Sequence, residues 1–203
     1  VVFYANETVK DIVVSEGKIT SVLTNKQTLN TDEVVLAAGS WSPILTKKLD
    51  IKIPIQAGKG YRIDVPRETG ITIPAILCEA KVAVTPMEGF TRFAGTMEIA
   101  GINHKVNPTR VNAIAKAAQN YYQNLEVAAA EKENAECGLR PCSPDGLPYI
   151  GKSSKCKNLT IATGHAMMGW SLGPATGKLV SEIITNKQLS LDIIPFHPDR
   201  RFL

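Results

Sequence analysis

Three stretches of the sequence combine residue types that could hold an anionic ligand. In Gly164-His165-Ala166-Met167-Met168-Gly169-Trp170-Ser171, a glycine-flanked loop follows the apolar run Leu159–Thr163 and leads into a helix-forming segment. A strand feeding such a loop into a helix aims backbone N–H groups and the positive helix end at one spot. In Gly138-Leu139-Arg140-Pro141, the proline ring disfavours helical backbone at Arg140, so the arginine projects from an extended segment. Its guanidinium fork suits a bidentate carboxylate. In Val34-Val35-Leu36-Ala37-Ala38-Gly39-Ser40-Trp41, an apolar run ends in small residues just before a helix start, which lets a ligand approach the backbone closely. Each stretch has an ordinary alternative. Ala-Gly ends many strands for packing, a single arginine is more often a surface or salt-bridged side chain, and a single histidine is more often hydrogen-bonded than basic. His104, His165 and His197 are dispersed, no catalytic triad is evident, and neither GxGxxG nor a P-loop occurs.

The elements that must position these stretches are legible in the hydrophobic pattern. Val9–Val14 and Lys18–Thr24 read as a hairpin turning at Ser15-Glu16-Gly17, with Gln27–Leu29 as a short third strand. Val34–Ala38 reads as a strand buried on both faces, followed by a short helix with Ser42 as N-cap and Pro43 as its first residue. Tyr61–Val65, Lys81–Thr85 and Thr91–Gly95 alternate as antiparallel strands do, the last two joined by a turn at Pro86-Met87-Glu88-Gly89. Asn107 and Pro108 open a helix whose apolar residues Val111, Ile114, Ala115, Ala118, Tyr122 and Leu125 recur at helical spacing, placing it at Pro108–Leu125. Asn134–Arg140 reads as a strand and Cys142–Pro148 as turn-rich. A second helix is expected at Leu172–Asn186 with Pro174 in its first turn and Leu172, Ala175, Leu179 and Ile183 as its stripe. The tail Pro195–Leu203 is expected to drape over the surface.

Composition narrows the function classes. The 203 residues are 44% hydrophobic and 21% charged, enough for a substantial core in one large domain or one domain with an appendage. The formal charge of +4 comes from scattered lysines and arginines with few aromatics among them, which argues against nucleic acid as a partner. Cys78, Cys137, Cys142 and Cys156 form no CxxC pair, so no metal is expected and reduced thiols are. Val34–Ala38 is far too short to span a bilayer.

In this order, the blocks VVLAAGSWSP (34–43), RFAGTMEIAG (92–101), GLRPCSPDGLPYIG (138–151) and NLTIATGHAMMGWSLGPATGKLVSEII (158–184) resemble the DAO-type flavoproteins, most nearly the bacterial D-amino-acid dehydrogenase branch. The ending PFHPDRRF (195–202) fits that branch too. The resemblance implies an α+β and α/β fold: a mixed, largely antiparallel substrate-binding sheet packed with helices, plus the C-terminal part of a Rossmann-like FAD domain. It divides the chain into 1–45 (part of the FAD domain), 46–137 (substrate-binding sheet) and 138–203 (return to the FAD domain). It places Arg140 on the substrate carboxylate, with Tyr61 as a candidate second substrate contact. It places Ala38 and Gly39 near the ADP side of FAD, counts Trp41 among the cofactor-binding residues, and puts the loop residues Gly164, His165, Met167, Met168, Gly169, Trp170 and Ser171 on the flavin ring. No residue beyond the flavin is expected to act chemically.

The implied reaction takes hydride from the Cα of a D-amino acid to the flavin. Alternatives are a glycine- or sarcosine-type amine oxidase and a catalytically incomplete binding module. The GxGxxG unit of the family is absent from these residues, so a separate N-terminal FAD-binding segment is an expected partner and the chain alone is expected to be inactive and colourless. A quinone or another acceptor would take the electrons. The expected location is the cytoplasm, with peripheral attachment to the inner face of the membrane as an option.

Overall fold

The computed structural model describes residues 1–202. In chain order it contains β1 (Val9–Ser15), β2 (Lys18–Thr24), β3 (Thr28–Asn30), β4 (Val34–Leu36), α1 (Ser42–Lys47), β5 (Gln56–Val65), β6 (Ala75–Leu77), β7 (Val82–Met87), β8 (Phe90–Ile99), α2 (Pro108–Tyr121), α3 (Ala129–Glu133), β9 (Glu136–Cys142), β10 (Tyr149–Lys152), β11 (Leu159–Thr163) and α4 (Gly169–Ile184). Gly39–Trp41 and Ile194–Phe196 form single 3-10 turns. The chain folds as two compact units, Val1–Gln56 with the chain from Arg140 onward, and Ala57–Leu139. The first boundary falls after residue 56 rather than 45 because Ile51 and Ile53 are buried with Leu36, Tyr149, Leu159 and Ile161 in the first unit's core.

In the first unit, β1, β2 and β3 form an antiparallel meander. Its first turn has positive φ at both Glu16 and Gly17, the twist that two-residue hairpins favour. A second sheet has the order β10-β11-β4, with β11 antiparallel to β10 and parallel to β4, Leu159 standing opposite Val34. The β4 and β11 strands therefore run out at the same end. Asn158 clamps the meander to this sheet: its side chain accepts from Ile19 N–H (2.8 Å) and donates to the carbonyls of Ile19 (2.8 Å) and Asp32 (2.9 Å). Buried amides with all these partners satisfied fix one arrangement of the backbone.

In the second unit, five strands lie in the order β6-β7-β8-β5-β9. Val111, Ile114, Ala115 and Ala118 of α2 join Tyr61, Ile63, Val65, Val84 and Phe93 in one core, as the helical spacing of those apolar residues requires. Asn107 caps α2, its side chain accepting from Thr109 N–H at 3.1 Å.

Several elements depart from the sequence reading. α2 stops at Tyr121, and the following Ala129–Glu133 forms the separate helix α3. Pro86 and Met87 belong to β7, and the turn contracts to Glu88-Gly89 between paired Met87 and Phe90. Pro86 is tolerated there because β6 pairs only with Val82–Val84, leaving that edge without a donor requirement. Ser42 does not cap α1; the N-cap is Trp41, with no side-chain bond, because the Ser42 hydroxyl is directed elsewhere. α4 begins at Gly169, so Pro174 lies inside the helix rather than in its first turn, and the Trp170 carbonyl lacks the usual amide donor. The C-terminal tail is not loosely draped. It is fastened to the first unit by Arg200.

Candidate active site

The first unit brings two of the three chemistry-bearing stretches to the shared end of β4 and β11 and bonds them together. The Thr163 hydroxyl, at the end of β11, accepts from Ser42 (3.1 Å) and donates to the Gly39 carbonyl (3.4 Å). The two strand exits are thus cross-linked by side chains whose pairing no local sequence signal marks. Gly39 has φ +54, three residues beyond the end of β4, and Gly164 has φ +82 immediately after β11, left-handed backbone at both strand exits. A Cβ on Gly164 would stand 3.0 Å from Tyr149 Cδ2, so this position requires glycine for space as well as for conformation.

The loop then pins itself to β9. Ala166 N–H donates to the Pro141 carbonyl at 3.0 Å, and Cys142 and His165 form an antiparallel bridge. Ala166 sits at φ +47, a conformation costing an L-residue about 1–2 kcal/mol, held by that bond. These contacts set the strand carrying Arg140 against the glycine-flanked loop. Arg140 is partly exposed on β9 and makes an interaction within the fold.

His165 is engaged within the fold. Its Nε2 shares a hydrogen bond with the Thr176 hydroxyl at 2.9 Å, tying the loop to α4. Burial holds its pKa below the ordinary histidine value, so the neutral ring is favoured. Its contribution is to fix the loop.

At the start of α4 no side chain supplies a cap. The amides of Gly169, Trp170 and Ser171 head the helix where the helical ladder offers no acceptor. Around them Met167 is 74% exposed and Trp170 97%. Trp41, Ile44 and Met168 are also exposed. Leu172 and Ala175, expected in the buried stripe, are exposed as well; only Leu179 and Ile183 reach the core. An uncapped positive helix end, left-handed glycines at both strand exits and a rim of large apolar side chains fit a planar aromatic ligand that carries negative charge. The buried Ser40 hydroxyl, which has no hydrogen-bond partner among the described residues, also fits a site completed from outside.

Tyr61 lies in the second unit. It is 1% exposed in the second unit's core, and its hydroxyl donates to Glu98 at 2.6 Å. Burial, reinforced by that carboxylate, pushes its pKa up to about 12. Within the second unit the hydroxyl is committed to Glu98, and the ring packs in the core. Glu98 also accepts from Asn107 and pairs with the buried Lys59 at 3.4 Å. Among the described residues, no group of three or more His, Cys, Asp or Glu side chains could hold a metal ion. Nor is any helix there long and apolar enough to cross a membrane.

A family model described as DAO, FAD dependent oxidoreductase, matches residues 1–183. The chain belongs to this family. Its core arrangement is accordingly the α+β fold with largely antiparallel sheets that such flavoenzymes share. A D-amino acid dehydrogenase of Allorhizobium ampelinum is 32% identical over 195 residues, spanning 95% of this chain and 45% of that protein. A D-amino acid dehydrogenase of Vibrio vulnificus is 36% identical over 191 residues, spanning 93% and 45%. Among solved structures, glycine oxidase from Geobacillus kaustophilus superposes with a TM-score of 0.86 at 24% identity, covering 98% of this chain and 53% of that one. L-proline dehydrogenase from P. horikoshii superposes with a TM-score of 0.82 at 22% identity, covering 95% and 53%. These two likenesses establish the fold. The chain spans about half the length of the curated relatives it matches.

Proposed function

We propose that this chain is the substrate-side and C-terminal portion of an FAD-dependent dehydrogenase of D-amino acids. The observation that carries the reading is the bond from Ala166 N–H to the Pro141 carbonyl, which sets the Arg140 strand against the loop leading into the uncapped, exposed start of α4. A carboxylate anchor and an anion-stabilising helix end within one compact unit suit a substrate held against a redox-active ring. The similarity to the named dehydrogenases supports D-amino acids as the substrate class.

In this reading Arg140 binds the α-carboxylate through its planar fork and orients Cα. FAD, when bound, supplies the acceptor for the hydride leaving Cα. The amides of Gly169–Ser171 and the α4 dipole stabilise negative charge at the ligand edge they face. Loss of hydride leaves an imine, which water converts to an oxo acid and ammonia. Neutral His165, fastened to Thr176, holds the loop and takes no proton from substrate. Ala38, Gly39 and Trp41 would meet the ADP side. The dinucleotide-binding segment would be N-terminal to Val1, which agrees with relatives about twice as long. A quinone or similar acceptor would reoxidise the flavin, with peripheral membrane attachment where that acceptor is lipid-soluble.

The test is Arg140→Ala in the protein encoded by the complete reading frame. Truncating one partner of a desolvated charge pair costs about 2–5 kcal/mol, so kcat/KM for the preferred D-amino acid should fall about 30- to 5,000-fold. An unchanged value would remove Arg140 from the site. A parallel screen with glycine, sarcosine and L-amino acids separates the amine-oxidase reading.

A further inference from the structure

The C-terminal tail makes the densest polar contact in the first unit. Arg200 donates from Nε to Asp145 Oδ2 (2.8 Å) and from its Nη2 to Asp145 Oδ1 (2.9 Å), a two-bond fork. The same guanidinium donates to the carbonyls of Leu147 (2.8 Å) and Pro148 (3.0 Å). Its Cζ lies over the Tyr149 ring, 3.9 Å from the ring centre, and Phe202 meets the same ring edge-on. The tail also presses on β10, since a Cβ on Gly151 would stand 2.9 Å from Pro198 Cδ. Tyr149 is fully buried, with its hydroxyl donating to the Pro54 carbonyl at 3.1 Å. The edge of that ring is what Gly164 packs against, at the head of the loop entering α4.

A continuous line of contact therefore runs from Arg200 through the Tyr149 ring to Gly164. A second branch fastens Asp145–Pro148, the segment that follows the Arg140 strand. We propose that the segment Pro195–Phe202 is a strap that supports both sides of the candidate active site from behind, with Arg200 as its positioning residue. It fixes the ring and the turn on which those sides rest. The strap itself stands on the contacts above, and its bearing on flavin rests on the function proposed for the Gly164–Ser171 loop.

The strap demands more than charge. Four of the Arg200 bonds need a planar fork, and the stacking on Tyr149 needs a flat cation. Lysine supplies neither. Arg200→Lys is thus the informative variant, with Asp145→Asn as a second break in the same fork and Val111→Ala, in the core of the other unit, as a control for general loss of stability. Hydrogen exchange measured on the complete protein reads the support directly. Arg200→Lys should speed exchange at the amides of Gly164–Met168 and Asp145–Leu147 by at least about tenfold, the change expected when a charge-assisted bond leaves a local opening equilibrium. Amides of α2 should keep their rates. Val111→Ala should not reproduce the pattern. Wild-type exchange at Gly164–Met168 in Arg200→Lys would overturn the strap. Faster exchange with unaltered FAD dissociation and flavin absorbance would leave the strap standing and sink the flavin-facing role of the loop.

Discussion

Substituting Gly164 by alanine separates two physical demands that meet at one atom. The backbone at Gly164 has φ +82, and left-handed geometry costs an L-residue about 1–2 kcal/mol. The added Cβ would also stand 3.0 Å from Tyr149 Cδ2, so that the ring would have to give by a few tenths of an ångström. Tyr149 cannot easily yield, with its hydroxyl bonded to Pro54 and Arg200 stacked on its ring. Overpacking of a tight site adds about 1–3 kcal/mol, for a total of about 2–5 kcal/mol. Gly146→Ala is the matched control. It has φ +76 but no atom within 4 Å of the added Cβ, so only the backbone cost of about 1–2 kcal/mol applies. Urea unfolding of both variants reads the difference as the contact contribution. Equal losses, or a loss at Gly164 below about 1 kcal/mol, would refute the claim that the Tyr149 ring sets the entrance to this loop.

Tyr61→Phe should lower stability by about 1.5–3 kcal/mol through the lost bond to the Glu98 carboxylate, while KM for substrate stays unchanged; a raised KM would place Tyr61 in the site. His165 has a pKa below its ordinary value of 6.5, so the unfolded chain binds its proton more readily and stability falls as pH drops below 6.5. His165→Asn should flatten that part of the stability profile, measured as urea midpoints between neutral and mildly acidic pH. Asp145 is held down to about 2 by Arg200, so its contribution is present above the ordinary value of 3.8 and lost as pH falls through about 2. Asp145→Asn should remove that acid-side loss and lower stability at neutral pH.

The two helices with strong periodicity and the existence of β4 were legible because apolar spacing and turn residues are local signals, although β4 stops at Leu36 and exposes Val35 instead of being buried on both faces. Asn107 capped its helix as its type suggested. The misplaced features each depend on a distant partner. Ser42 has the residue type of a cap, but Thr163 lies within reach and takes its hydroxyl. Tyr61 looked available until the fold turned it onto Glu98. Asn158 and the Arg200–Asp145 fork join residues far apart in sequence, and no spacing rule marks such pairs. The exposure of Leu172 and Ala175 has a different origin. Apolar periodicity marks a helix face, and the described residues leave the first half of this one uncovered.

The central claim is that Arg140 and the Gly164–Ser171 loop together present a D-amino acid to FAD. The most direct measurement is anaerobic bleaching of the flavin absorbance in the protein encoded by the complete reading frame, with D- and L-amino acids and sarcosine compared. Stoichiometric flavin, rapid bleaching by a D-amino acid, and loss of that bleaching at the same substrate concentration in Arg140→Ala are expected. A protein that holds flavin but is bleached equally by both enantiomers, or whose bleaching survives Arg140→Ala, would contradict that claim.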